Sequence, residues 1–247
     1  MSGIKHKKQI SIAMNIAIIV AMEKELQLLL PLLTEPRKTE IDGITFYLGD
    51  AGTHSVLIMK SGIGKVNAAL STMQMISRFA PELVINTGVA GGTGSDAKIL
   101  DIVVGERIAY HDVWCGPDTV EGQAARCPLY FESDKNVTTL GVLQGNPHIR
   151  HGLIASGDVF VADAGLVARI KELYPEVLAV DMESAAIAHT CYLLNTPFFC
   201  IRVVSDTPGE ADNMAQYDDF WEAAPRHSFE IIQSILEELQ GNSAEEE

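Results

Sequence analysis

The chain predicts an α/β domain, a mainly parallel sheet covered by helices on both faces, and three observations carry that prediction. Short apolar runs such as IAIIVAM, LVINTGVA and FFCIRVV have the character of buried strands. They alternate along the sequence with segments of helical period. The size, 247 residues with 47% hydrophobic and 21% charged side chains, fits one globular domain with a large core.

Taken in order, an apolar run at 15–22 reads as the first strand, and a helical stretch at about 23–33 follows. Leu26, Leu29, Leu30 and Leu33 fall on one face of it, with Pro36 just beyond its end. TFYLGDA and SVLIMKSG, separated by Gly52, Thr53 and His54, read as a hairpin. In GKVNAALSTMQMISRFA the residues Val66, Leu70, Met73 and Phe79 lie near helical spacing, and Pro81 stops the helix. Then come the strands LVINTGVAGGTG and DIVVGERIAY, a polar, irregular region from about 112 to 150, and the strand GLIASGDVFV. A helix at 163–173, the strand LAVDM, a helix at 184–195, the strand FFCIRVVSD and a last helix at about 217–240 complete the pattern.

Residues 1–14 read as a flexible leader, 15–240 as a single domain and 241–247 as an acidic, solvated tail. Lys5, Lys7 and Lys8 ahead of ISIAMNIAIIVAM imitate a secretory signal, but Asn15 interrupts the run and Glu23, Lys24 and Glu25 follow at once. No apolar stretch reaches 18 uninterrupted residues, so no membrane span is expected. The net charge of −15 repels phosphate backbones and anionic headgroups, which argues against nucleic-acid and membrane partners. Cys115, Cys127, Cys191 and Cys200 form no CxxC and no zinc-spaced cluster. Reduced thiols in a cytoplasmic protein, with no metal, are the expectation.

Ligands of parallel α/β sheets bind outside the carboxyl ends of the strands, so polar residues closing an apolar strand outrank others. IVAMEKE, NTGVAGG, AVDMES and RVVSDTPG are such ends. The cluster Gly88, Gly91, Gly92 and Gly94 fits neither GxGxxG nor a P-loop, and SGIGKV fails the P-loop pattern too. Tight turns explain these glycines, and close backbone approach to a ligand stays open. Singly, Glu23, Glu25, Asp181 and Glu183 could be acids favoured at helix starts, and Asp206 a turn residue. Three strand ends delivering carboxylates to one sheet edge weaken that explanation, because acids held close raise each other's pKa and suit acid/base chemistry.

AMEKE, SGIGKVNAA, INTGVAGG, DIVV, SGDVFV, VDMESAAIAH and IRVVSD, in this order, make the chain resemble the bacterial 5′-methylthioadenosine/S-adenosylhomocysteine nucleosidases of the nucleoside phosphorylase superfamily. The resemblance spans about residues 15–240. It implies a three-layer α/β/α sandwich around a mixed, mainly parallel twisted sheet, and hydrolysis of 5′-thioadenosine nucleosides to adenine and a thioribose without a cofactor. By the family's motifs, Glu25 activates the attacking water, Asp206 donates to adenine N7 and Ser205 orients Asp206. Glu183 grips the ribose hydroxyls and Met182 packs on the ribose, with Asp181 behind them where the family often has Glu. Phe160 stacks on adenine and the Val161 backbone reads the base edge. Met22, Ile63 and Tyr217 match the wall around the 5′-alkylthio group, Tyr217 standing where Phe is commoner, and Gly91 counts among the binding residues. Arg202 is the one arginine near the site, better suited to pairing with a carboxylate than to clamping phosphate.

A homodimer is implied as well, with the 112–150 region at its interface and Trp114 as either an anchor or an ordinary loop residue. The rival readings are a phosphorylase, against which Glu25 would repel phosphate, and a non-catalytic nucleoside-binding module, against which all three key acids are present. The 5′ substituent, among methylthioadenosine, S-adenosylhomocysteine, 5′-deoxyadenosine and aminodeoxyfutalosine, stays open.

Overall fold

A computed structural model describes residues 13–94, 96–223 and 226–241; most of the expected leader and tail, 1–12 and 242–247, lie outside the described residues. The first strand, β1 (Asn15–Val20), sends Ile16, Ile18 and Val20 into one core cluster and Ala17 and Ile19 into another. A strand buried on both sides this way must be covered on both sides.

Helix α1 (Glu23–Leu29) stops earlier than the predicted 33, and Leu30–Leu32 tighten into a 3₁₀ turn. Pro31 is the reason, since it has no N–H to continue the helical ladder. The chain then forms β2 (Thr34–Ile41), a mostly exposed strand that contains Pro36. Its sequence TEPRKTEI lacks the expected apolar run because it is the sheet's outer edge, where charges and proline are tolerated. β3 (Ile44–Ala51) and β4 (His54–Lys60) form the expected antiparallel hairpin, closed at Ala51 opposite His54.

The elements that follow are α2 (Lys65–Phe79), β5 (Leu83–Gly92), β6 (Ile102–Tyr110), β7 (Phe131–Glu132), α3 (Lys135–Thr138) and β8 (Ile149–Ser156). After them come α4 (Ala164–Leu173), β9 (Val177–Asp181), α5 (Ser184–Leu193), β10 (Phe198–Asp206), α6 (Asn213–Ala223) and α7 (Arg226–Gly241). β8 ends at Ser156, so Gly157–Val161, read from sequence as strand, is a loop beyond the sheet edge. The last helix of the sequence reading is two, α6 and α7, and begins earlier, at Asn213.

The sheet is mixed. β4, β1, β5 and β10 pair in parallel, as do β6, β8 and β9, while β2–β3–β4 and β6–β10 are antiparallel. Gly91 and Gly92, at the end of β5, also pair with β9, which brings the ends of β5, β9 and β10 together. One face is covered by side chains of α1, α3, α6 and α7, the other by α2 and α5, and α4 packs its Ile170 over β8 and β9. These layers make the three-layer α/β/α sandwich.

Helix α2 corrects one reading. Of the four residues at helical spacing, Phe79 packs against the core while Val66, Leu70 and Met73 are 68%, 58% and 52% exposed, and Ala68, Ser71, Thr72 and Met75 face inward. The inward face packs on the small-residue helix α5, SAAIAHTCYL, where close approach of two helices favours small side chains.

Candidate active site

The carboxyl ends of β1, β5, β9 and β10 open into one cleft with about 610 Å³ of empty space, its mouth included. Glu25 enters it from the first turn of α1. As the third residue of that helix it reaches back in a capping geometry: Oε2 accepts the Ala21 and Met22 N–H groups, both at 2.9 Å, and Oε1 accepts the Val89 N–H at 3.1 Å. Burial pushes the Glu25 pKa up, opposed by the Met22 N–H bond, the Arg202 charge and the Val89 and Ala21 bonds. Gly88 makes room for this, since a Cβ there would stand 2.5 Å from Glu25 Oε1.

Asp206 closes β10, a strand buried along all nine residues. Ser205 Oγ donates to its Oδ1 at 2.6 Å, and Asn213 Nδ2, at the start of α6, donates to its Oδ2. Burial raises the Asp206 pKa, and these two hydrogen bonds, which favour the anion, hold the rise in check. Gly91 lets the turn after Asp206 fold close, because a Cβ at 91 would meet Pro208 Cγ at 2.4 Å.

Between β9 and α5 the chain places Asp181, Met182 and Glu183. Glu183 Oε1 accepts the Gly64 N–H at 2.7 Å, and burial, reinforced by the Asp181 charge, pushes its pKa up to about 7. Asp181 also lines the cleft, with its carboxylate engaged from behind. Its Oδ2 takes Nε and Nη2 of Arg202 at 3.0 and 2.7 Å, and its Oδ1 accepts the Ser184 hydroxyl at 2.8 Å. Arg202 also donates to Asn86 Oδ1 at 2.5 Å, so the buried ion pair has its hydrogen bonds filled.

At the apolar end, Tyr217 donates its hydroxyl to Met22 Sδ at 3.3 Å, and Phe160 stands edge-to-face with Tyr217 at 6.0 Å between centroids. Met22, Glu25, Ile63, Gly91, Phe160, Val161, Met182, Glu183, Ser205, Asp206 and Tyr217 all line the cleft. Arg202 is the exception among the residues expected to meet a ligand. It is 2% exposed and off the lining, because its guanidinium is committed to Asp181 and Asn86.

Chemically, the cleft offers four buried acids, Glu25, Asp181, Glu183 and Asp206, and an apolar wall. Among the described residues that line it there is no lysine or arginine. Among the described residues, too, no three His, Cys, Asp or Glu side chains are grouped to hold a metal ion, and no helix is long and apolar enough to cross a membrane.

Residues 15–237 match the sequence profile of the phosphorylase superfamily. A 5′-methylthioadenosine/S-adenosylhomocysteine nucleosidase of Anoxybacillus flavithermus is 38% identical over 232 residues, 92% of this chain and 99% of the relative. The chain belongs to this nucleosidase family of the phosphorylase superfamily. Another member, from Actinobacillus succinogenes, is 37% identical over 92% of this chain and 100% of its own. Among solved structures, the Streptococcus pneumoniae nucleosidase with the transition-state inhibitor MT-ImmA superposes with a TM-score of 0.87 at 38% identity, covering 92% of this chain and 100% of that one. The nucleosidase of Colwellia psychrerythraea in complex with adenine gives 0.86 at 36% identity, covering 94% and 98%.

Several partners in this cleft escaped the sequence reading. Asn213, the Gly64 amide and the Val89 amide hold the three acids, and Gln216 Oε1 accepts the Thr207 N–H at 2.8 Å. Backbone donors have no residue-type signal. Asn213 and Gln216 sit in a polar stretch with no strand end or period to single them out.

Proposed function

We infer that the protein hydrolyses the N-glycosidic bond of 5′-methylthioadenosine and S-adenosylhomocysteine, releasing adenine and 5-methylthioribose or S-ribosylhomocysteine. The observation that carries this reading is the pair of buried acids, Glu25 and Asp206, brought from different strand ends into one cleft. Adenine is a poor leaving group until N7 is protonated, so Asp206, with its raised pKa, is assigned as the general acid and Ser205 as its orienting partner. Glu25 takes a proton from the attacking water as oxygen bonds to C1′ and the C1′–N9 bond breaks. The carboxylates also favour the oxocarbenium charge that develops on the sugar.

Glu183 binds the ribose hydroxyls over Met182, Phe160 stacks on adenine, and the Val161 backbone and the surface at Gly91 bound the base. Met22, Ile63 and Tyr217 enclose the 5′ substituent. Arg202 acts through Asp181, as a charge partner behind the sugar end. Water is favoured over phosphate as the nucleophile because an anion at Glu25 would meet no lysine or arginine on the described lining.

The exposed apolar residues Ile63, Val66, Leu70, Met73 and Trp114 support a homodimer, with Trp114 as an interface anchor. Four free cysteines support a cytoplasmic setting, where the products would enter methionine salvage. The test is chromatography of products from methylthioadenosine in phosphate-free buffer. Adenine with free methylthioribose is expected; activity only with phosphate, yielding a sugar phosphate, would replace this reading with a phosphorylase.

A further inference from the structure

Outside the cleft lining, one charged cluster joins three separate strand ends. Lys65, the first residue of α2, places Nζ 2.8 Å from each carboxylate oxygen of Asp112, in the turn after β6, and 4.0 Å from Asp158 Oδ2, in the turn after β8. The Lys65 N–H donates to Asp158 Oδ1 at 2.7 Å, and the Asp158 N–H donates to Asp112 Oδ2 at 2.8 Å. The Lys65 ammonium also sits 5.4 Å from the centre of the Tyr110 ring. An isolated surface ion pair does little. This one closes a ring of side-chain and backbone links across three segments.

The ring matters because of what it grips. Gly64 is the N-cap of α2 and, having no side chain, cannot cap the helix. The first amides of α2 are satisfied from other elements instead, Gly64 N–H by Glu183 and Lys65 N–H by Asp158. Gly62 and Gly64 both have left-handed φ, +89° and +92°, so the peptides here turn freely unless something outside holds them. Asp158 holds the neighbouring peptide, and it also opens the segment whose Phe160 and Val161 line the cleft.

We propose that Lys65, Asp112 and Asp158 are positioning residues, a clasp that keeps the Gly64 N–H aimed at Glu183 and the Phe160 segment over the base. None of the three lines the cleft, so they act only through Glu183 and Phe160. The proposal rests on the nucleosidase reading, which gives those two residues the sugar and the base. Glu183 is faced by Asp181 from β9, Arg202 from β10, Glu25 from α1 and the Gly64 amide from the start of α2. Of these, the amide bond and, after it, the Arg202 charge favour the ionised form that accepts ribose hydroxyls, against burial, Asp181 and Glu25.

The test is steady-state adenine release from methylthioadenosine by wild type, Asp158→Ala, Lys65→Met and Lys65→Arg, from about pH 5 to about pH 9, with thermal unfolding of each variant. Because Glu183 and Phe160 act in ground-state binding, Asp158→Ala and Lys65→Met should raise KM about tenfold while kcat falls less than about threefold. Lys65→Arg should restore most of the loss. The acid limb of kcat/KM in Asp158→Ala separates positioning from bulk charge. Deleting a nearby negative charge would by itself ease ionisation of Glu183 and move the limb to lower pH, whereas loss of the Gly64 hydrogen bond moves it to higher pH. Unchanged KM and limb, or a limb displaced to lower pH, would overturn the clasp. If Asp158→Ala fails to fold, Lys65→Met, which keeps the Asp158 backbone bond, decides by its KM and its rescue by Lys65→Arg. A wild-type chain that releases no adenine would instead overturn the nucleosidase reading itself.

Discussion

Burial raises the pKa of Glu25, Glu183 and Asp206 in the cleft, and each is restrained by different donors: backbone amides for Glu25, a hydroxyl and an amide side chain for Asp206, a single helix-start amide for Glu183. For Glu183 the consequence for stability has a definite sign. Its pKa in the folded protein, about 7, lies above the ordinary 4.5, so its contribution is fully present below about 4.5 and is lost as pH rises through about 7. Glu183→Gln should therefore raise the melting temperature by a few degrees at about pH 8 and by much less at about pH 5; thermal unfolding at the two pH values checks it, and an equal shift at both would refute the assigned burial cost. At this scale the acids were legible in the sequence, because a carboxylate closing an apolar strand is conspicuous. Asn213 and the Gly64 amide were not, since their importance comes from where α6 and α2 begin. Arg202 was visible as a carboxylate partner, but its commitment to Asp181, Asn86 and the Ile201 carbonyl is a matter of packing.

Elements were legible wherever one period dominated. β1, β5, β6, β9 and β10 are each built on an apolar run, and α4 is capped by Asp163, whose side chain accepts the Leu166 N–H at 3.0 Å. β2 was missed because an edge strand needs no apolar run, and Gly157–Val161 was misread because apolar residues that line a ligand cleft resemble strand residues. Helix α2 was assigned correctly, but of the four apolar residues at helical spacing only Phe79 packs against the core; Val66, Leu70 and Met73 point outward, and Met75 with smaller side chains faces inward. Met75, fully buried, carries the inward packing, so Met75→Ala should cost about 2–5 kcal/mol in urea unfolding. A loss below about 0.5 kcal/mol, the size expected of an exposed site, would mean that α2 does not pack as described.

For the whole molecule, the proposed homodimer would account for the outward apolar stripe of α2. A single copy leaves Val66, Leu70 and Met73 in water beside the cleft residue Ile63, and a second copy would cover them. Light scattering should give a dimer for the wild type, and Leu70→Asp should shift it toward monomer with little change in far-UV circular dichroism. A wild-type monomer at assay concentration would refute the dimer. Sheet topology explains how the three acids come to line one cleft. Residues 25, 183 and 206 are distant in sequence, yet β5 pairs with both β9 and β10 and lies beside β1, so their ends share one cleft. The proposed role of Asp206 as the proton donor in that cleft is tested most directly by Asp206→Asn, with turnover and methylthioadenosine binding measured on the same preparation. The expected result is a kcat at least about 10²–10⁴-fold lower with binding largely kept; near-normal turnover in the folded variant would contradict the mechanism.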